Sequence, residues 1–146
     1  MKIGIVSDHR GYKLKQEIIN SINYKIIDYG TYSEESVDYP DYAFTLGEKV
    51  INGDVLFGVA ICGSGIGISI ACNKVKGIRC AKVTNKDEAF YTRNDNDANV
   101  VAFSAVTDIK DALNIINTFV STPFSNEKRH INRINKIKKY EEEHER

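Results

Sequence analysis

Apolar residues along the chain come in short runs, separated by segments in which they recur every three or four positions. Residues 2–7 (KIGIVS) form a nearly continuous apolar run and predict a buried strand. Over 12–22 the apolar positions 14, 18, 19 and 22 keep the period of an amphipathic helix. A second strand is predicted over 25–29, closed by Gly30, and a polar loop (TYSEESVDYP) follows it. The next helix is expected over 41–52, with Pro40 near its first position, where the fixed φ of proline suits a helix start. Residues 55–61 are apolar almost without interruption, as in a strand covered on both faces. Beyond them the pattern predicts a helix over 66–74, a strand over 78–83, a helix over 86–93 and a strand over 99–103. A helix over 108–119, capped by Asp108, and a last helix over 127–140 with Ile131, Ile134 and Ile137 complete the chain. The tail EEEHER reads as a frayed, solvated end in which His144 is inert.

Strand and helix thus alternate five times before a final helix. That order predicts an α/β fold of three αβα layers: a Rossmann-like, five-stranded parallel sheet with helices on both faces, plus the C-terminal helix. No repeat, linker or Pro-rich hinge divides residues 1–146, so a single domain is expected. In such folds ligands sit outside the carboxyl ends of the strands. The residues to read for chemistry are therefore Asp8 and His9, the DYP loop, Cys62 to Gly67, Thr84, and the segment from Ser104 to Thr107.

Composition narrows the function classes. Hydrophobic residues make up 42% and charged residues 27%, a globular balance. Lys+Arg and Asp+Glu are each 20, so the basic surplus of a nucleic-acid coat is missing. No apolar run reaches 18 residues, and the first strand begins at once, so no membrane span and no signal peptide is expected, and a cytoplasmic location is. The three cysteines, Cys62, Cys72 and Cys80, form no CxxC pair, which argues against a disulfide framework or a zinc ribbon. Cys72 and Cys80 stand in apolar surroundings and read as small core residues.

Cys62 opens the run CGSGIG, with glycines at 63, 65 and 67 between a strand and a helix. Glycines let backbone N–H groups approach an anion, and a helix N-terminus favours negative charge. Ile68 stands where GxGxxG needs glycine and where a cysteine phosphatase loop needs arginine, Cys62 stands where GxSxG needs glycine, and the P-loop pattern is absent. A thiol beside a helix N-terminus is activated as a nucleophile or base. A base next to amides that hold an oxyanion is what proton abstraction alpha to a carbonyl requires. On pattern alone, a core thiol at a strand end stays open as the alternative. Asp8-His9 could bind hydroxyls or phosphate, or cap a helix and face solvent. Arg129 and Arg133, four apart, present two guanidiniums on one helix face, suited to a phosphate or to a solvated basic surface. The Asn/Asp-dense stretch TRNDNDANV is a turn, or a turn that also contacts a polyol.

Taken together, SDHRGYKLK, DYGT…VDYPDYA, ICGSGIGISIACNKVKGIR, NDNDANVVAF and RHINR resemble the ribose-5-phosphate isomerase B family, which includes the lactose-pathway galactose-6-phosphate isomerase subunits. The resemblance covers nearly the whole chain. It implies an aldose–ketose isomerase of the pentose phosphate pathway that needs no metal and no cofactor. By that resemblance Cys62 is the base moving a proton between C2 and C1. The amides of Gly63, Ser64, Gly65, Ile66 and Gly67, with the Ser64 hydroxyl, hold the enediolate. Asp8, His9, Tyr39 and Asn96 bind the sugar phosphate, His9 near the phosphate. Arg129 and Arg133 grip the phosphate from a neighbouring subunit in a homodimer or dimer of dimers with shared sites, the helix over 127–140 being exchanged against the partner. Two positions depart from the family. Asp95 stands where members commonly have the histidine that opens the furanose ring, and Val106 where they often have a phosphate-binding arginine. A hexose 6-phosphate of the allose or galactose type, or binding without turnover, are the alternatives to ribose 5-phosphate.

Overall fold

The structure, a computed structural model, describes residues 1–144. Its element order is β1 (Lys2–Ser7), α1 (Tyr12–Ser21), β2 (Lys25–Asp28), α2 (Tyr39–Ile51), β3 (Phe57–Cys62), α3 (Ile66–Cys72), β4 (Cys80–Lys82), α4 (Lys86–Asn94), β5 (Val100–Ser104), α5 (Ile109–Ser121) and α6 (Lys128–Glu143). The five strands form one parallel sheet in the order β2-β1-β3-β5-β4. The predicted three-layer architecture is thus the observed one.

Side chains alternate across the central strands, and each face collects its own helices. Ile3, Ile5, Val59, Ile61, Val101 and Phe103 pack against Leu14 and Ile18 of α1 and Ile115, Ile116 and Phe119 of α5. Val6, Ala60, Cys62, Val100 and Ala102 face Ala43 and Leu46 of α2 and Ile68 and Cys72 of α3. The helix after β1 therefore covers one face, and the helix after β3 covers the other. β1 and β3 are neighbours, so the chain leaves them in opposite directions, and a crevice opens between their carboxyl ends.

Several boundaries differ from the expected ones for identifiable reasons. α2 starts at Tyr39 rather than at 41, because Pro40 is compatible with the first helical turn and draws Tyr39 in with it. Val55 is buried as expected, yet β3 starts only at Phe57, since the amide of Val55 still bonds the Lys49 carbonyl at the end of α2. β4 starts at Cys80 rather than 78, because Ile78 closes a turn onto Val75 and the Arg79 amide bonds the Asn99 side chain. The predicted Asp108 cap is present, its carboxylate accepting from the Lys110 amide. The last helix runs further than the expected 127–140. α6 continues to Glu143, the Glu141 carboxylate accepts the Gly77 amide at 2.8 Å, and Tyr140 stacks on His144. Of the tail read as frayed, residues 145–146 lie outside the described residues.

Candidate active site

The crevice between β1 and β3 is lined from both sides by residues singled out in the sequence. At its floor the Asp8 amide bonds the Ile61 carbonyl, which places the end of β1 beside Cys62. Asp8 is buried, and its carboxylate accepts the Gly11 amide at 3.0 Å, closing the turn into α1. The Nδ1 atom of His9 accepts the Val37 amide at 3.2 Å, tying the polar loop after β2 across the end of β1. That donor requires an unprotonated Nδ1, so the neutral ring carries its proton on Nε2.

Cys62 ends β3 with its sulfur buried on the α2–α3 face. The Gly65 amide donates to Sγ at 3.2 Å, and the Ser64 hydroxyl accepts the Ile66 amide at 3.1 Å. Two amides of the loop are therefore engaged inside it. Those of Gly63 and Ser64 carry no hydrogen bond among the described residues and remain for a ligand. Gly65 has φ 77°, and a Cβ there would lie 2.6 Å from the Phe103 carbonyl carbon, so only glycine lets the loop close on β5. The loop is fastened on its other side by the Ser104 hydroxyl, which donates to the Gly63 carbonyl at 2.6 Å. Gly67 lies under the Tyr39 ring, where a Cβ would meet the ring and hydroxyl at 2.6–2.7 Å. Asp8, His9, Tyr39 and the segment Cys62 to Gly67 thus share one mouth.

The remaining candidates lie elsewhere. Asp95 and Asn96 connect α4 to β5 and sit before the first residue of that strand, at the amino edge of the sheet. Asn96 is held there, its carbonyl accepting Arg79 Nε at 3.0 Å. Cys62 pairs instead with Ser104, the last residue of β5. The length of that strand, roughly 13 Å at the usual rise per residue, separates the two groups within one protomer. α6 begins on the same amino-edge side. His130 is buried against Asp95 and Glu127, with Nε2 3.5 Å from Asp95 Oδ1 and 3.3 Å from Glu127 Oε2. Arg129 pairs with Glu127 at 3.0 Å, and both Arg129 and Arg133 are exposed. Asn96 also lines a cleft of about 370 Å³ with Arg79, Cys80 and Ile137, between β4 and α6.

Thr84, at the end of β4, is taken up locally: its amide and hydroxyl both donate to the Glu88 carboxylate, holding that group below the usual carboxylate range. Val106 is almost fully exposed, and its amide donates to the Ser104 hydroxyl. Two residues escaped the sequence reading. Arg10, between His9 and Gly11, lies over Gly63; the signal was a cation inside a strand-to-helix turn at the ligand edge. His130 stood unremarked between Arg129 and Asn132, though a histidine on the inner side of an amphipathic helix marks a buried polar partner. Among the described residues no group of His, Cys, Asp and Glu has the arrangement of a metal site, and no helix is long and apolar enough to cross a membrane.

The family model described as Ribose/Galactose Isomerase matches residues 3–137. Ribose-5-phosphate isomerase B of Escherichia coli is 39% identical over 127 residues, covering 84% of this chain and 85% of that one. Among solved structures, ribose-5-phosphate isomerase B of Clostridium thermocellum superimposes with a TM-score of 0.92 at 46% identity, covering 98% of this chain and 99% of that one. The Mycoplasma genitalium enzyme of the same name, solved with bound ribulose-5-phosphate, gives a TM-score of 0.88 at 36% identity, with 97% of each chain covered.

Proposed function

The chain belongs to the ribose/galactose isomerase family and is a sugar-phosphate isomerase, and we propose that it interconverts ribose 5-phosphate and ribulose 5-phosphate through an enediolate with Cys62 as the base. The observation that carries this reading is the Gly65 amide aimed at Cys62 Sγ, 3.2 Å away, beside the unoccupied amides of Gly63 and Ser64. A sulfur that gives and takes a proton is served by an N–H donor, which bonds the charged form more strongly. Cys62 removes the proton from C2 of the open-chain aldose, and the electron pair moves onto the carbonyl oxygen. The Gly63 and Ser64 amides hold the negative charge so formed. The O2 proton passes to O1 as the C2 carbonyl forms, and return of the carbon-bound proton from Cys62 to C1 gives the ketose. Asp8, His9 and Tyr39 orient the sugar from the same protomer, Gly67 leaving room for the Tyr39 ring.

Ring opening and phosphate binding fall to the second group. Asp95 serves as the acid that opens the furanose, with His130 beside it, while Asn96 contacts the sugar and Arg129 and Arg133 bind the phosphate. These groups stand a strand length from Cys62 of their own protomer. A second copy, docked with the start of its α6 over the glycine loop, brings them together. The active form is accordingly a homodimer or a dimer of dimers with shared sites.

The test is conversion of ribose 5-phosphate by purified protein in the presence of EDTA, beside Cys62→Ala. Turnover that disappears in the variant, with ligand binding retained, supports the reading. Undiminished turnover in Cys62→Ala removes the thiol from the mechanism. Turnover of a six-carbon aldose 6-phosphate in place of ribose 5-phosphate reassigns the substrate.

A further inference from the structure

We propose that Arg10 is the cation with which each protomer grips the phosphate of its own substrate. The proposal rests on the reading of the crevice as a sugar-phosphate site. Arg10 sits in a turn closed on both sides. The Asp8 carboxylate holds the Gly11 amide, and Gly11 is packed so tightly that a Cβ there would lie 2.7 Å from the Ile61 side chain. The backbone of Arg10 is therefore fixed at the crevice. Its side chain lies across Gly63: a Cβ on that glycine would stand 2.9 Å from Arg10 Nη1 and 3.1 Å from Cδ. The guanidinium thus rests on the residue next to Cys62, above an amide left open for a ligand.

Its charge has no partner. Among the described residues no carboxylate pairs with Arg10, although cations on the helix that follows it and at the far edge of the sheet are neutralised. Lys13 pairs with Glu34 and Lys15 with Asp28 on the following helix. Arg79 and Arg93 both bond Asp97, and Arg129 bonds Glu127. The other wall of the mouth, Ser104 to Thr107, contains no cation and presents Val106 to solvent. Beside the open backbone amides of the loop, Arg10 and the Nε2–H of His9 are accordingly the side-chain donors this part of the crevice offers an anion.

Two anions arise in an isomerase of this kind, the enediolate and the phosphate. The enediolate forms next to a buried sulfur, below the loop. Arg10 is exposed at the rim, where a phosphate at the far end of the substrate chain would meet it. A phosphate monoester carries close to two charges at neutral pH, and its oxygens accept the paired N–H groups of a guanidinium. The phosphate is the match in both place and geometry.

The experiment compares wild type, Arg10→Ala and Arg10→Lys in steady-state conversion of ribose 5-phosphate, and measures inorganic phosphate binding to each by calorimetry. Loss of one charge-assisted contact predicts a KM about ten- to a hundredfold higher in Arg10→Ala, with kcat nearly unchanged. Phosphate affinity falls by a similar factor, and Arg10→Lys recovers part of both, keeping charge without the paired donors. Equal melting temperatures separate this from a folding defect. Unchanged KM and phosphate affinity in Arg10→Ala, with an active wild type, overturn the proposal. A wild type that converts no ribose 5-phosphate, but loses phosphate affinity on Arg10→Ala, overturns the substrate reading while the role of Arg10 stands.

Discussion

The Nε2 atom of His130 lies 3.5 Å from Oδ1 of Asp95, and the same carboxyl oxygen accepts the Asn94 side-chain amide at 2.8 Å. A carboxyl group between an imidazole and an amide is oriented, half-exposed and within reach of a ligand. In the reaction proposed above it is the group that meets the ring of the cyclic sugar. Asp95→Asn keeps the shape and removes the proton. Turnover of the cyclic substrate is expected to fall by about 10²- to 10⁴-fold, the usual range for a lost acid–base group, while phosphate binding stays. Steady-state kinetics beside phosphate calorimetry check both halves. A kcat unchanged in Asp95→Asn would assign ring opening to another group.

Separation of Asp95 from Cys62 within one protomer has a direct consequence for mixtures. Cys62→Ala and Asp95→Asn are each expected to be nearly inactive alone. Refolded or co-expressed together, they form mixed dimers in which one site has both residues intact. Random pairing of two-fold dimers restores roughly a quarter of the wild-type activity. No recovery in demonstrated mixed dimers would mean that each site is built from a single chain.

Gly65 is the position at which the loop tolerates least change. Gly65→Ala places a methyl 2.6–2.9 Å from the Phe103 backbone and forces an L-residue into the left-handed region. The second effect alone costs about 1–2 kcal/mol, and backbone, unlike a flexible side chain, does not move aside cheaply. Thermal melts are expected to show a clear loss of stability, and assays a near-complete loss of turnover, because the Gly65 amide no longer meets Cys62. An active, fully stable variant would contradict the loop geometry.

Lys15 is fully buried, and its ammonium bonds both carboxylate oxygens of Asp28 at 2.6 Å. The rings of Tyr12 and Tyr32 flank it at 5.4 and 5.6 Å. Asp28→Asn strips the counter-charge from a buried cation and is expected to destabilise by about 3–5 kcal/mol. Lys15→Met removes the cation itself and leaves Asp28 partly exposed, still accepting the Gly30 amide, so the loss is expected to be smaller. Urea unfolding of the two variants reads the difference. The reverse order would show that packing of the lysine stem, rather than its charge, dominates.

Cys80 gives a pH dependence of known sign. Its hydrogen bond with the Cys72 thiol, reinforced by burial, pushes the Cys80 thiol well above its ordinary value. An unfolded cysteine loses its proton near pH 8.5. Above that pH the unfolded chain releases a proton that the folded chain keeps, so the unfolded state gains and stability falls as pH rises. Below it the contribution is complete. Cys80→Ala is expected to flatten the decline in melting temperature between about pH 8 and 10. An identical slope in the variant would place the alkaline sensitivity elsewhere.

The hydrophobic pattern alone determined the alternation of strands and helices, and with it the parallel three-layer sheet. It also placed Cys62 and its glycines at a strand's carboxyl end, and set Asp108 as a cap. These are local properties: a period of 3.6, an unbroken apolar run and a capping side chain each report on residues within a few positions of one another. The order β2-β1-β3-β5-β4 was decided by tertiary structure, and so was everything that depends on which segments become neighbours. Lys15 reads as one more lysine on a polar face until β2 brings Asp28 to it. Thr84 sits at the ligand edge, yet Glu88 one turn into α4 consumes its donors. Arg10 acquires its place only because the β1 turn closes over Gly63, far away in sequence. Asp95 and Cys62, proposed above to act on one substrate, are held at opposite ends of the sheet by the direction of β5. Pairing of distant segments is fixed by the packing of whole faces, and no window of the chain contains it.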